Sequence, residues 1–285
     1  MMTFSQLLAA EQTLQAPAAY DALSARIIEQ TGFPLVYLSG LGNEASDLGF
    51  PDVGLTTVTE LVRRASNIVQ CVDVPVVCDA DTGFGGKVNV ARTVRLFEAA
   101  GVSAIHLEDQ TFPKRCGLLE GKRVIPAASF ANVIKGALDA RRGNSLGIIA
   151  RTDAKHAEGV DGVIARLQRY TEQGVDAVML GDFYTLAEYR RIATAVSVPL
   201  IACAADPDHF DTQPDHDLGA WQDAGVGMVV YWHLALFAAL AAVEDAVSTL
   251  KRTGATAGAR QVAGYRDYGR ITGLDDWLHL ADGDE

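Results

Sequence analysis

The chain has 285 residues, a length that suits one large α/β domain and buries roughly 75% of the surface its unfolded form exposes. Lys and Arg number 24 against 36 Asp and Glu, a formal charge of −12, which excludes the basic footprint that nucleic acid or an anionic membrane surface requires. With 49% hydrophobic and 21% charged residues, the composition is that of a globular protein with little room for disorder.

In chain order, residues 4–11 predict a short helix, without the positive start or long apolar run of a secretion signal. Short apolar runs follow at 14–16, 35–38, 74–78, 104–107, 147–150, 177–180, 199–202 and 228–231. Amphipathic segments lie between them, such as 90–100 and 160–173, and Gly101, Gly174 and Gly225 each open a turn into the next run. Eight strands alternating with helices in about 250 residues predict a (β/α)8 TIM barrel. An open doubly wound sheet would want a glycine-rich phosphate loop after its first strand, which this chain lacks. The organisation expected is a single barrel domain, with an N-terminal helix over 1–13, the barrel over 14–250 and a C-terminal extension over 251–285. Tyr265, Tyr268 and Trp277 predict that the extension docks on its own barrel or on a neighbouring subunit. The most apolar stretch, 228–243, is interrupted by His233 and falls short of the roughly 20 residues of a membrane span. Cys71, Cys78, Cys116 and Cys203 form no CxxC pair, so reduced thiols in a cytoplasmic protein are expected.

In a parallel barrel the active site lies at the C-terminal ends of the strands, so the residues after each apolar run matter most. Asp79 and Asp81 follow the third run, Glu108 the fourth and Arg151 the fifth. Carboxylates crowded at one mouth repel unless a cation or protons neutralise them, and hard oxygen donors point to Mg²⁺ or Mn²⁺. A lone acid after a strand is as readily a helix cap; the whole set is harder to explain that way. Arg151 suits a bidentate grip on a substrate carboxylate, or a salt bridge to Glu108 or Asp79, and the two are compatible. The segment 111–125, TFPKRCGLLEGKRVI, reads as a charged lid carrying a thiol, with Lys114 and Arg115 expected to lower the pKa of Cys116 below about 8.5.

The motifs Asp79-Ala80-Asp81-Thr82-Gly83-Phe84-Gly85, Leu107-Glu108-Asp109-Gln110 and Lys114-Arg115-Cys116-Gly117 closely resemble the isocitrate lyase and phosphoenolpyruvate mutase superfamily. Tyr37-Leu38-Ser39-Gly40, Pro51-Asp52 and Ala150-Arg151-Thr152-Asp153-Ala154 fit the same pattern, which resembles in particular its methylisocitrate lyase, 2,3-dimethylmalate lyase and petal death protein branch. The resemblance implies a Mg²⁺-dependent barrel, a homotetramer with a swapped C-terminal helix, that cleaves the C2–C3 bond of a 2-hydroxy di- or tricarboxylate. It implies Asp79 and Asp81 at the metal, supported by Glu108 and Asp52; Ser39, Gly40 and Arg151 on the oxoacid portion; Cys116 as the proton donor with Lys114 beside it; and Tyr37 at the substrate hydroxyl. The chain departs from the lyase pattern at three places. Leu118 replaces a histidine after Cys-Gly, the seventh strand end reads Ala202-Cys203-Ala204-Ala205-Asp206-Pro207, and Trp232-His233 follows the eighth strand. His233 there resembles the oxaloacetate decarboxylase branch and is a candidate for substrate binding, and equally for a helix N-cap or a satisfied core histidine. The expectation is a lyase on a substituted malate with a small apolar distal group. Oxaloacetate decarboxylation or hydrolysis is the alternative, ahead of phosphonate mutase chemistry and a non-catalytic oxoacid-binding barrel.

Overall fold

In the computed structural model, which describes residues 3–9, 12–143, 146–259 and 262–282, the apolar runs close into a parallel barrel of eight strands. The strands are β1 (Leu14–Ala19), β2 (Val36–Leu38), β3 (Val76–Asp79), β4 (Ala104–Glu108), β5 (Gly147–Thr152), β6 (Ala177–Leu180), β7 (Leu200–Cys203) and β8 (Val226–Tyr231), with β8 pairing back onto β1. The helices are α1 (Phe4–Leu8), α2 (Ala22–Gln30), α3 (Gly40–Asn43), α4 (Val58–Val69), α5 (Lys87–Ala99), α6 (Ala127–Ala140), α7 (Lys155–Thr171), α8 (Leu186–Ala195), α9 (Leu218–Asp223), α10 (Leu234–Thr253), α11 (Tyr265–Thr272) and α12 (Leu274–Asp282). None of the described helices is long and apolar enough to cross a membrane.

The strands differ from the sequence reading at their ends, and the differences are informative. β1 does not stop at Ala16 but runs through Pro17. Proline costs a ladder donor, yet here it stands where partners change: Leu14–Pro17 pair with β8, and Ala18 and Ala19 with β2. At the other end of the strands, Asp79, Glu108 and Arg151 are themselves strand residues, paired in the ladder, instead of the first residues of loops. The first helix ends at Leu8, and Glu11 lies outside the described residues.

Alternation along a strand sends every second side chain into the barrel. Leu14, Ala16, Leu35, Val77, Ala104, Ile149, Ala177, Ile201 and Met228 fill the lower interior, closed from beneath by Phe4, Leu7 and Leu8 of α1. The outward set packs against the helices in a second, larger core. In the C-terminal extension, Arg26 and Gln30 of α2 donate to the Ile271 carbonyl, each at 3.1 Å, so α11 docks on its own barrel. The aromatics expected to drive that docking do not: Tyr265, Tyr268 and Trp277 are exposed.

Phe4 is 1% exposed beneath the barrel, which makes α1 part of the core. Phe4→Ala is expected to lower the unfolding free energy by about 3 kcal/mol, read from denaturant melts; a loss under about 1 kcal/mol would mean that α1 is an ornament on the barrel.

Candidate active site

The same alternation that fills the barrel floor builds the site one layer higher. Above Val77 stands Asp79, above Ala104 stand His106 and Glu108, and above Ile149 stands Arg151. The ladder register pairs Asp79 with His106 and Glu108 with Arg151, so these polar groups meet across neighbouring strands. Asp79 Oδ1 lies 3.5 Å from His106 Nε2 and accepts the Asp81 amide at 2.9 Å, while Oδ2 accepts the Gly40 amide at 3.3 Å. Only glycine fits at position 40, because a Cβ would stand 2.8 Å from Asp79 Oδ2. Ser39 caps α3 through the Gly42 amide at 3.4 Å.

Burial pushes the Asp79 carboxyl up, but His106, Lys114 and Arg151 with the Asp81 amide outweigh it and hold it at about 2. Asp81 goes the other way: burial, with Asp79 and Asp52 adding and Lys114 opposing, takes it to about 6. Glu108 is also driven well above the carboxylate range by burial, against the pull of Arg151. Both of its oxygens are buried without a hydrogen-bond partner, and Arg151 Nε is 3.4 Å away. Lys114 reaches in from the loop after β4, pairing with Asp52 and standing 2.8 Å from Asp81 Oδ1.

These acids fit a hard divalent cation. The set is all oxygen, Glu108 has orphaned acceptors, and an internal ammonium already sits between two of the carboxylates. No group of three or more described His, Cys, Asp or Glu side chains stands in ready-made coordination geometry. A cation here would therefore keep water and substrate oxygens among its ligands, as Mg²⁺ does.

A cavity opens over this layer, with Tyr37, Ser39, Asp52, Asp79, Cys116 and Arg151 in its wall. Leu41, Leu118, Met179, Phe183 and Trp232 also line it. Gly40, Asp81, Glu108 and Lys114 lie just behind that surface through the contacts given above. His233 is not brought to the cavity. The start of α10 turns its buried ring behind Trp232, whose ring lies 5.0 Å away, and Trp232 takes the place on the cavity that the sequence suggested for the histidine.

Cys116 also departs from expectation. Arg115 turns away to the Glu120 carbonyl, and Lys114, though engaged with Asp52 and Asp81, still draws the thiol down together with Arg151, but burial outweighs them. Burial, with Asp52 adding, pushes the thiol up to about 11. The sequence reading omitted His106, whose Nε2 meets the Tyr37 hydroxyl at 2.6 Å. Burial lowers this imidazole to about 4. The period-2 spacing from Glu108 carries the signal for it. Asp153, part of a motif in the sequence but given no role there, holds the Arg151 guanidinium through Nε at 2.9 Å and Nη2 at 3.1 Å.

A family model described as phosphoenolpyruvate phosphomutase matches residues 4–251. The chain belongs to the phosphoenolpyruvate mutase/isocitrate lyase superfamily. Among curated members, a 2,3-dimethylmalate lyase from Eubacterium barkeri is 36% identical over 271 residues, covering 95% of this chain and 93% of its own. A 2-methylisocitrate lyase from Bacillus subtilis is 38% identical over 251 residues, covering 88% of this chain and 81% of its own. A solved oxaloacetate acetylhydrolase, bound to the inhibitor 3,3-difluorooxalacetate, superposes with a TM-score of 0.92 at 29% identity, covering 99% of this chain and 96% of its own. This superfamily member is an enzyme, a carbon–carbon lyase in class.

With its pKa near 11, Cys116 is a protonated thiol at neutral pH. Its alkylation by iodoacetamide in the presence of a chelator is expected to be slow at pH 7 and to rise about tenfold per pH unit up to pH 10. A plateau below pH 9, followed by peptide mass mapping, would show instead that the flanking cations govern it.

Proposed function

We propose that this enzyme cleaves the C2–C3 bond of a malate carrying a small apolar substituent on C3, giving an α-oxoacid and a carboxylic acid. The observation that carries the reading is the make-up of the cavity wall. Arg151 is the one cation among its described lining residues, beside Ser39, Asp52 and Asp79, and most of the remaining side chains are apolar. A third substrate carboxylate would lose its water there and gain no partner, a cost of several kcal/mol.

In this reading the Arg151 guanidinium, fixed by Asp153, grips the C1 carboxylate together with Ser39 and the Gly40 backbone. The 2-hydroxyl gives its proton to the Tyr37 oxygen as Tyr37 passes its own to His106 Nε2, 2.6 Å away, where Asp79 Oδ1 at 3.5 Å favours the imidazolium against its burial. The C2–C3 electron pair leaves with C3 as an enolate of the departing carboxylate, and the Cys116 thiol protonates C3. The proton held on His106 returns to the thiolate, so the cycle closes without an external acid or base. Mg²⁺ or Mn²⁺, held by Asp79 with Asp81, Glu108 and Asp52 around it, supplies when bound the positive charge that acidifies the hydroxyl. The raised thiol pKa supports the role of Cys116, since a donor must still carry its proton when the enolate forms. The same reading takes the enzyme to be a cytoplasmic homotetramer; the exposed Leu240, Val243 and Val247 on α10 and Trp277 on α12 support self-association.

The superposition on an oxaloacetate acetylhydrolase favours a second reading, hydrolytic cleavage of oxaloacetate at the same site. Proton NMR of the Mg²⁺-loaded enzyme separates the two. Expected are pyruvate and propionate from 2,3-dimethylmalate, with 2-methylisocitrate at least about 100-fold poorer in kcat/KM for want of a partner for its third carboxylate. Oxalate and acetate from oxaloacetate alone would move the assignment to the hydrolase. Cys116→Ser is expected to cut lyase turnover by about 10²–10⁴, and a chelator to abolish it until Mg²⁺ is restored; a serine variant above one tenth of the parent rate would remove the thiol from the chemistry.

A further inference from the structure

We infer that Lys122 is the latch of the loop over residues 111–125, a positioning residue that seats Cys116, Gly117 and Leu118 on the cavity by bridging the loop to the ends of β5 and β6. Its kinetic consequence rests on the reading above; its structural consequence does not.

Three acceptors meet the three hydrogens of the Lys122 ammonium. They are the Gly117 carbonyl at 2.7 Å, Asp182 Oδ1 at 2.5 Å and Asp153 Oδ1 at 3.3 Å. The first lies within the loop itself; the other two belong to the barrel, just past β6 and β5. The Lys122 side chain is 2% exposed and those of Asp153 and Asp182 are no more than 3% exposed, so the ion cluster is dry. A buried ammonium persists only where its partners replace its hydration shell, and removing one partner of such a cluster leaves an uncompensated charge.

A second observation places the same contact under steric control. A Cβ on Gly117 would stand 2.7 Å from the Gly181 carbonyl oxygen and 3.3 Å from Arg151 Nη2. The loop backbone therefore lies directly on the end of β6 beside the guanidinium, and Lys122 holds it there by the carbonyl of that same glycine. The base of the loop is pinned separately: Thr111 donates its amide to the Arg123 carbonyl at 2.7 Å, and Ile125 donates to Asp109 at 2.8 Å. On the other side of the mouth the loop is held by Lys114, by the Cys116 amide donating to the Asp52 carbonyl at 3.1 Å, and by Gln110, which accepts the Arg115 amide at 3.0 Å. Lys114 binds Asp52 and Asp81, the acids that fit a metal, whereas Lys122 binds acids outside that set. Asp153 Oδ1 also accepts from Arg151 Nη2 at 3.1 Å, so latching is communicated to the guanidinium that faces the cavity.

The test uses the full-length enzyme without substrate. Lys122→Met and Asp182→Asn, singly and together, are followed by hydrogen exchange and by the alkylation rate of Cys116 at pH 8. Each single variant is expected to raise alkylation about tenfold and to raise exchange within residues 111–125 alone; the double variant should add little, and Lys122→Arg should retain most of the protection. With the active substrate, kcat should fall about 30-fold or more while KM changes little. Unchanged alkylation and exchange in Lys122→Met would overturn the latch, as would loss of protection spread over the barrel with additive effects in the double variant. Opening of the loop in an enzyme that fails to turn over any substituted malate would leave the latch standing and defeat the substrate reading.

Discussion

Six carboxylates, those of Asp52, Asp79, Asp81, Glu108, Asp153 and Asp182, converge on one buried barrel mouth, and three cations, Lys114, Arg151 and Lys122, answer them. That imbalance governs the rest of the site. Burying like charges together is costly, so the excess must be relieved by protons or by a further cation. Asp81 at about 6 and Glu108 well above the carboxylate range are the proton solution; a hard divalent ion is the alternative that the same oxygens fit. Two of the three cations arrive on one loop. Seating that loop and balancing the charge are therefore a single event, and a loop that lifts leaves acids unpaired on both sides of the mouth.

The barrel makes this arrangement inexpensive to specify. Parallel pairing aligns neighbouring strands so that inward residues stand in layers, and the register that stacks Val77 beside Ala104 sets Asp79 beside His106 two residues on. Glu108 beside Arg151 follows from the same ladder. The apolar floor beneath, sealed by Phe4, Leu7 and Leu8, keeps water from reaching the acids from below. The fields at the mouth are strong because the floor is dry.

What could be read from the chain follows the range of the interactions. Barrel class, strand positions and the acids at the mouth are legible because each rests on alternation or on residues adjacent in sequence. His106 was hidden in an apolar run, where only its two-residue spacing from Glu108 marks it as inward. Asp153 and Asp182 meet Lys122 across 31 and 60 residues, a distance no local pattern spans. The thiol of Cys116 shows the limit most sharply. Two basic residues precede it in sequence, yet both side chains are spent elsewhere, and the group that adds to its burial is Asp52, brought in from the loop after α3. The expected direction failed because burial, which no local pattern reveals, outweighs the pull that Lys114 still exerts. Trp232 taking the cavity position in place of His233 is the same lesson at a helix start, where the turn of α10 decides which of two adjacent rings faces inward.

The direction of the Cys116 shift also bears on which chemistry the thiol can serve. A thiolate is the nucleophilic form, and sites that need one surround it with cations or a helix N-terminus to lower its pKa. This site does the opposite: Lys114 is drawn to Asp52 and Asp81, Arg115 to the Glu120 carbonyl, and the half-buried sulfur stands in the cavity wall beside Leu118 and Gly117. Such a group keeps its proton until a stronger base appears next to it. On the proposed reading, an enolate released by C2–C3 cleavage is that base, and it forms beneath the seated loop. The protonated thiol, the apolar wall and the latched loop therefore serve one requirement: the proton must be delivered to carbon in a space from which water has been excluded.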